Sequence, residues 1–293
     1  MRQGPVVVST NSNGNAIYPS ITGFNYVIAA VKMANKKILL DATRKYTLPN
    51  LLPTEILNGN GRFIKKDGSS EEVSLMPPTH SKQTINIIAE IRGRTLHGKA
   101  QFIYTDHKAI DLNKKTKNLN NDALIEYFEK QFTTIKIDSI SKSNNDLNNV
   151  KCTNIRFSFE HSNLVDYIGD QMLINPLLFT ESMTNDLKQD VRYLPIYLGY
   201  PTQKKQSISF TIPDDYEVVS IPKPFSYSIE KGFVRYDFNI AQVDNVIQIS
   251  SCKQISSSMS SADSFPTLKD FFNKVIDVCN QKIILQKKNI NGN

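Results

Sequence analysis

The chain has 293 residues, 40% hydrophobic and 22% charged, with 35 Lys and Arg against 28 Asp and Glu for a net charge of +7. No stretch approaches the ~20 apolar residues of a membrane-spanning helix. The opening Met1-Arg2-Gln3-Gly4-Pro5 runs into Val6-Val7-Val8 without the apolar region or small-residue cleavage site of a signal peptide. Three cysteines, Cys152, Cys252 and Cys279, are too few and too scattered for a disulfide framework or a zinc site, and no cofactor or metal is expected.

The basic excess is spread along the chain. Residues 1–80 carry nine basic and five acidic residues, and the remainder carries 26 and 23. The densest run, Lys114-Lys115-Thr116-Lys117, has no aromatic neighbours on which bases would stack, which disfavours nucleic acid as a partner. The 28 Asn residues cluster in expected loops at Asn11–Asn15, Asn118–Asn121 and Asn144–Asn149.

In chain order, Pro5–Thr10 reads as a strand, and Phe24–Lys32 with Lys37–Leu40 as a hairpin. A coil rich in Pro, Asn and Gly is expected over Tyr46–Gly61, with Gly59-Asn60-Gly61 as a turn. Met76-Pro77-Pro78-Thr79-His80 suits a boundary, dividing residues 1–78 from a β-sandwich-like region over 79–293. Gln83–Arg92 and Thr95–Thr105 form a hairpin turned near Gly93, and Thr133–Ser141 pairs with Val150–His161. Further strands are expected at Val191–Tyr200, Gln206–Ile212, Tyr216–Ile221, Ser226–Glu230, Phe233–Ile240 and Val246–Ser256.

Two helices interrupt them, Asp122–Gln131 and Pro266–Gln281, the second with Thr267 and Asp270 as a capping pair. Lys282–Gln286 returns as a last strand. The fold class is therefore α+β, mostly β.

The histidines, His80, His97, His107 and His161, show no metal-ligand spacing. Cys152 and Cys252 sit in strand patterns, and Cys279 lies on the apolar stripe of the last helix, where a thiol acts as a small hydrophobe. Adjacent antiparallel strands would bring Tyr26, near the start of one, close to Asp41, at the end of the next. That suits a base and its orienting carboxylate, but a phenol titrating near about 10 is a poor base at neutral pH.

The segments Phe24-Asn25-Tyr26-Val27-Ile28, Leu40-Asp41-Ala42-Thr43 and Leu52-Pro53 with Leu57-Asn58-Gly59-Asn60-Gly61-Arg62 resemble the C-terminal half of a transglutaminase-like, papain-like core. The resemblance is to bacterial proteins of unknown function. Asn175-Pro176, Tyr193-Leu194-Pro195-Ile196, Ile212-Pro213-Asp214-Asp215-Tyr216, Ile221-Pro222-Lys223 and the closing helix with Lys282–Leu285 are similar to the β-rich domain that follows in that family.

The resemblance implies a catalytic order of Cys, then His, then Asp. Asp41 retains the Asp, Tyr26 stands at the His position, and the helix that would carry the Cys lies before Met1. Without thiolate or imidazole, acyl transfer has neither attacker nor proton shuttle.

The first expectation is thus a truncated, non-catalytic relative acting as a binding or scaffolding module. The alternative is the C-terminal portion of a longer or split thiol-dependent transglutaminase or cysteine peptidase; a weaker one is a basic nucleic-acid-binding protein. Residues 1–75 would form a sheet with one apolar face to cover, by the β domain, a protein or peptide partner, an upstream segment or a second copy. The family implies a periplasmic or cell-surface location, while the absence of a signal pattern leaves the cytoplasm open.

Overall fold

Alternating apolar and polar side chains put about half of the described residues into strands, and the fold is α+β, mostly β. The structure is a computed structural model and describes residues 2–14, 22–33, 36–44, 47–132, 135–144, 151–181, 184–229 and 232–288.

The first five strands are β1 (Arg2–Val8), β2 (Tyr26–Met33), β3 (Lys36–Leu40), β4 (Asn60–Ile64) and β5 (Ser70–Ser74). They form an antiparallel sheet of order β3-β2-β1-β4-β5. One face buries Val6, Val8, Ile28, Ala30, Leu39, Phe63 and Val73 against Leu52, Ile56, Leu57 and Leu75 of the connecting segments, and against Tyr200 from far along the chain. The opposite face is apolar yet open. Val7 faces Val27, Ala29 faces Leu40 and Val31 faces Ile38 across the strands, with Val27 55% and Met33 48% exposed.

The larger part comprises β6 (Ser81–Arg92), β7 (Thr95–Thr105), α1 (Asp106–Thr116), α2 (Asn121–Glu129), β8 (Ile135–Asn144), β9 (Cys152–His161), β10 (Val165–Ile168), β11 (Gln171–Ile174), β12 (Ile196–Tyr197), β13 (Thr202–Thr211), β14 (Tyr216–Ser220), β15 (Phe225–Ile229), β16 (Val234–Val243), β17 (Val246–Ile255), β18 (Met259–Ser260), α3 (Phe265–Asn280) and β19 (Ile283–Lys287). An eight-stranded sheet of order β15-β16-β17-β13-β6-β7-β9-β8 curls into a half-barrel, with β13 and β6 its parallel pair. The four-stranded sheet β10-β11-β19-β14 and the three helices share its buried cluster. That cluster includes Phe102, Phe128, Phe159, Tyr236, Phe238, Phe271 and Leu285.

Polar side chains tie the two clusters together. His107 Nε2 donates to the Leu52 carbonyl at 2.8 Å, Tyr200 Oη donates to Asp111 Oδ2 at 2.6 Å, and Ser258 Oγ donates to the Leu57 carbonyl at 3.2 Å. At another point Glu181, with its side chain 7% exposed, lies 2.9 Å from both Lys204 Nζ and Lys253 Nζ. These ion pairs fasten the segment after β11 to β13 and β17.

Several expectations need correction. Helix α1 over residues 106–116 adds an element that the sequence reading did not assign; Ala109, Ile110 and Leu112 bury one side while Lys114 and Lys115 stay in solvent. Asn120 and Asn121 are the N-cap and first residue of α2 rather than loop, the Asn120 side chain accepting the Ala123 N–H. The coil over Tyr46–Gly61 contains a 3-10 turn at Thr54–Ile56 and the start of β4 at Asn60.

Gly59, at φ +75°, does turn the chain, but Gly61 lies in the strand: a Cβ there would meet Val6 Cγ1 at 2.8 Å. The β10–β11 hairpin was not foreseen. Of Val191–Tyr200, Ile196 and Tyr197 alone pair as a strand, because Val191, Tyr193 and Leu194 project into solvent at 62%, 87% and 73% exposure. The last helix begins at Phe265, so Thr267 is inside it and Ser264 is the N-cap position. Asn15, residues 133–134, the stretch 145–150 and Glu230 lie outside the described residues.

Candidate functional site

Tyr26 opens β2, and Asp41 follows the last residue of β3. The pairing of Ala29 with Leu40 sets the two strand ends side by side. Asn50 fixes the end of β3 from outside the sheet: its Oδ1 accepts the Leu39 N–H at 2.9 Å, and its own N–H donates to the Leu39 carbonyl at 2.8 Å. Asn50 does so at φ +63°, a conformation Asn tolerates better than most residues.

The outcome is a clamp on one carboxylate. Tyr26 Oη donates to Asp41 Oδ2 at 2.8 Å, while the Thr43 N–H and hydroxyl donate to Asp41 Oδ1 at 2.8 and 2.7 Å. The Tyr26 and Thr43 hydroxyls also touch each other. Thr47 Oγ1 donates to the Asp41 carbonyl at 2.6 Å. Asp41 is buried at 7% exposure. Burial holds the Tyr26 phenol above its ordinary pKa, with the Thr43 hydrogen bond opposing and the Asp41 carboxylate adding to the rise. A phenol shifted upward gives up its proton less readily, so Tyr26 donates to Asp41 and does not take a proton from a nucleophile.

Nearby, Asn11 Nδ2 and Tyr197 Oη both donate to the Thr54 carbonyl, at 3.1 and 2.7 Å, and Arg44 pairs with Glu55 at 3.0 Å. Tyr197 thereby reaches from β12 to the connecting segment of the five-stranded sheet.

Residues 1–79 contain neither cysteine nor histidine. Cys279 is buried in the large cluster with its sulfur 3.4 Å from Tyr236 Oη, and burial pushes its thiol up. Burial raises the Cys252 thiol as well, and Cys152 is half-buried on β9. None of the three is packed in the cluster of the five-stranded sheet.

His107 is buried against Leu52, Ser81 and a stacked Tyr200 ring 4.7 Å away, and His80 lies 3.3 Å from the Ser256 hydroxyl. His97 pairs across the sheet with Glu160, and His161 stacks on Phe179. Among the described residues no group of three or more His, Cys, Asp or Glu is placed to hold a metal ion, and no helix is long and apolar enough to cross a membrane.

Sequence reasoning singled out Tyr26 and Asp41 but passed over Thr43. The signal was present as Asp41-Ala42-Thr43, in which a carboxylate accepts the N–H two residues on. Nothing local points to Tyr197 or Asn50, whose contacts cross 143 and 11 residues of chain.

A family model described as a domain of unknown function with solved-structure structure (DUF3858) matches residues 170–285. That span runs from the β10–β11 turn to β19. A crystal structure from Parabacteroides distasonis ATCC 8503, described as a "putative protease", is similar at 8% identity with a TM-score of 0.46. The alignment covers 97% of this chain and 40% of that one, so the chain spans less than half the length of that protein. No curated protein matches the chain.

Proposed function

We propose that this chain is a non-catalytic relative of the transglutaminase-like proteins, and that it works as a binding module. The observation that carries this reading is the Tyr26–Asp41 contact. At the position where the resemblance puts an imidazole, a phenol is engaged with the carboxylate and the Thr43 hydroxyl. An acyl-transfer site needs a thiolate and a group that accepts its proton near neutral pH. Residues 1–79 supply neither.

The open face of the five-stranded sheet supports the binding role. Val7, Val27, Ala29, Val31, Met33, Ile38 and Leu40 make a continuous apolar surface, bordered by Gln3, Lys36 and the Arg62–Glu72 ion pair. Monomeric proteins rarely leave such surfaces bare, and they commonly mark protein interaction sites. The partner is a protein or peptide segment with an apolar stripe.

A second reading is favoured by Asp41 itself: its carboxylate is buried and oriented by three donors, as an orienting acid would be. In that reading another polypeptide supplies the thiol and a proton acceptor.

The test of the docking face is binding of the dye 1-anilinonaphthalene-8-sulfonate to the native protein. Val27→Ser with Val31→Ser abolishes the fluorescence gain if this face is the open surface. Unchanged fluorescence in a folded double variant contradicts it.

A further inference from the structure

The eight-stranded sheet buries one face, and its other face is polar over nearly its full width. The register lines up one residue from each of seven strands in a single row: Asn239, Ser250, Ser207, Asn86, Gln101, Arg156 and Ser141. At about 4.8 Å per strand the row runs roughly 29 Å. A neighbouring row carries Ser209, Ile88, Lys99, Ser158 and Ser139.

Two grooves follow these rows and meet at Asn86. One, of about 470 Å³, has Asn86, Lys99, Gln101, Arg156 and three serines along its sides over an apolar floor that includes Ala100, Ile140 and Phe157, with no carboxylate. The other, of about 330 Å³, adds Lys205, Ser207, Asn239 and Cys252. Its one acid, Asp237, is already held by Arg235 at 2.7 and 2.9 Å and by Ser226 at 2.7 Å. With its amide assigned so that the oxygen faces the guanidinium, Gln101 accepts from Arg156 Nε and Nη2 at 3.2 and 3.1 Å, an assignment that satisfies both groups.

The chemistry of this lining selects among occupants. Both grooves lack aromatic side chains apart from Phe157 at the floor of the first, so there is no stacking platform for nucleobases. A protein interface would need a buried aromatic or aliphatic anchor, and apolar groups on this face are scattered: Ile88 at 72% exposure, Val243 at 51% at the far end of β16, and Ala100, Ile140 and Phe157 at the floor of the first groove. Rows of hydroxyl and amide groups suit a ligand that is itself a row of hydroxyls. The cations Lys99, Arg156 and Lys205, with no free carboxylate beside them in the grooves, add a preference for negative charge.

We infer that this face binds an anionic polysaccharide laid across the strands, its sugar hydroxyls on the Ser, Asn and Gln rows and its acid groups on Arg156, Lys99 and Lys205. The surface is separate from the open apolar face of the five-stranded sheet, and the inference stands without the binding-module proposal.

The test is titration of the full chain, at low salt, with polygalacturonate, dextran sulfate, neutral dextran and single-stranded DNA. Binding to polygalacturonate assigns the anion to carboxylate, and binding to dextran sulfate alone assigns it to sulfate. In either case Lys99→Gln with Arg156→Gln weakens binding at least about tenfold without moving the melting temperature, since both side chains are exposed.

A second readout is local. In a Cys152→Ser background, bound polysaccharide slows alkylation of Cys252, which lines the second groove. Failure to bind either charged glycan overturns the inference. So does equal binding to neutral dextran, or binding to DNA that the double variant leaves unchanged.

Discussion

Tyr26 and Asp41, fifteen residues apart, meet through a 2.8 Å hydrogen bond from the phenol to the carboxylate. The bond closes the end of the β2–β3 hairpin and occupies the carboxylate oxygen that an orienting acid would offer to an imidazole. Tyr26→Phe removes one donor while Thr43 still serves the other oxygen, so it costs about 1 kcal/mol of stability. Asp41→Ala costs more, because it strands the Thr43 N–H and both hydroxyls. Equilibrium urea unfolding of the two variants checks the order, and an Asp41→Ala loss smaller than that of Tyr26→Phe would contradict the clamp.

The centre of the large sheet depends on Gly98. A Cβ at this position would meet Ala89 Cβ, the Ile88 carbonyl oxygen and Phe159 Cζ, each at 2.8 Å. Gly98→Ala therefore lowers stability by about 1–3 kcal/mol, the usual range for overpacking. Chemical denaturation reads this as a lower midpoint at unchanged slope.

Glu181 is the single acid between two lysines at 7% side-chain exposure. Attraction to Lys204 and Lys253 outweighs its burial and holds the carboxyl below its ordinary pKa. Glu181→Gln leaves both cations facing a neutral amide, at a cost of up to about 3 kcal/mol given that the lysines are partly exposed. Hydrogen exchange of residues 175–181 rises in this variant, as the segment loses its fastening to the sheet. Exchange as slow as in the wild type would show that the ion pairs do not fasten it.

His107 gives the fold a dependence on pH. Burial holds its imidazole below the ordinary value of 6.5, with the Leu52 carbonyl, Asp111 and Asp106 opposing that shift. A depressed pKa means that the unfolded chain binds the proton first. Stability is thus full above pH 6.5 and falls as the pH drops toward the folded-state pKa of His107. His80 is lowered in the same sense by burial and Lys82, so His80→Gln serves as the background. In that background, His107→Gln flattens the loss of melting temperature between pH 6.5 and 5. An unchanged profile would contradict it.

Legibility in the sequence followed period and locality. The hairpin of β6 and β7 was readable from two alternating runs around Gly93, which sits at φ +59° as the turn requires. The last helix was readable from Leu268, Phe271, Val275 and Cys279 on one stripe, all of which are buried. Helix α1 was hidden because it starts on the residue after a strand, with Asp106 at φ +53° and no side-chain cap to announce it. Strand β4 was hidden by Gly61, which reads as a turn residue but is glycine so that β1 can approach. Within the site, Tyr26 and Asp41 were legible from strand order, whereas Asn50 and Tyr197 act through folding that brings distant backbone together.

The measurement that tests the central claim most directly is turnover by the purified chain of a glutamine peptide with a primary amine, and of unstructured peptides, with and without iodoacetamide. Wild type, Asp41→Ala and Tyr26→His are compared. The account predicts rates equal to the buffer blank for all three, because an imidazole introduced at position 26 has no cysteine in the cluster of the five-stranded sheet to activate. Turnover by the wild type that iodoacetamide blocks and Asp41→Ala abolishes would contradict it.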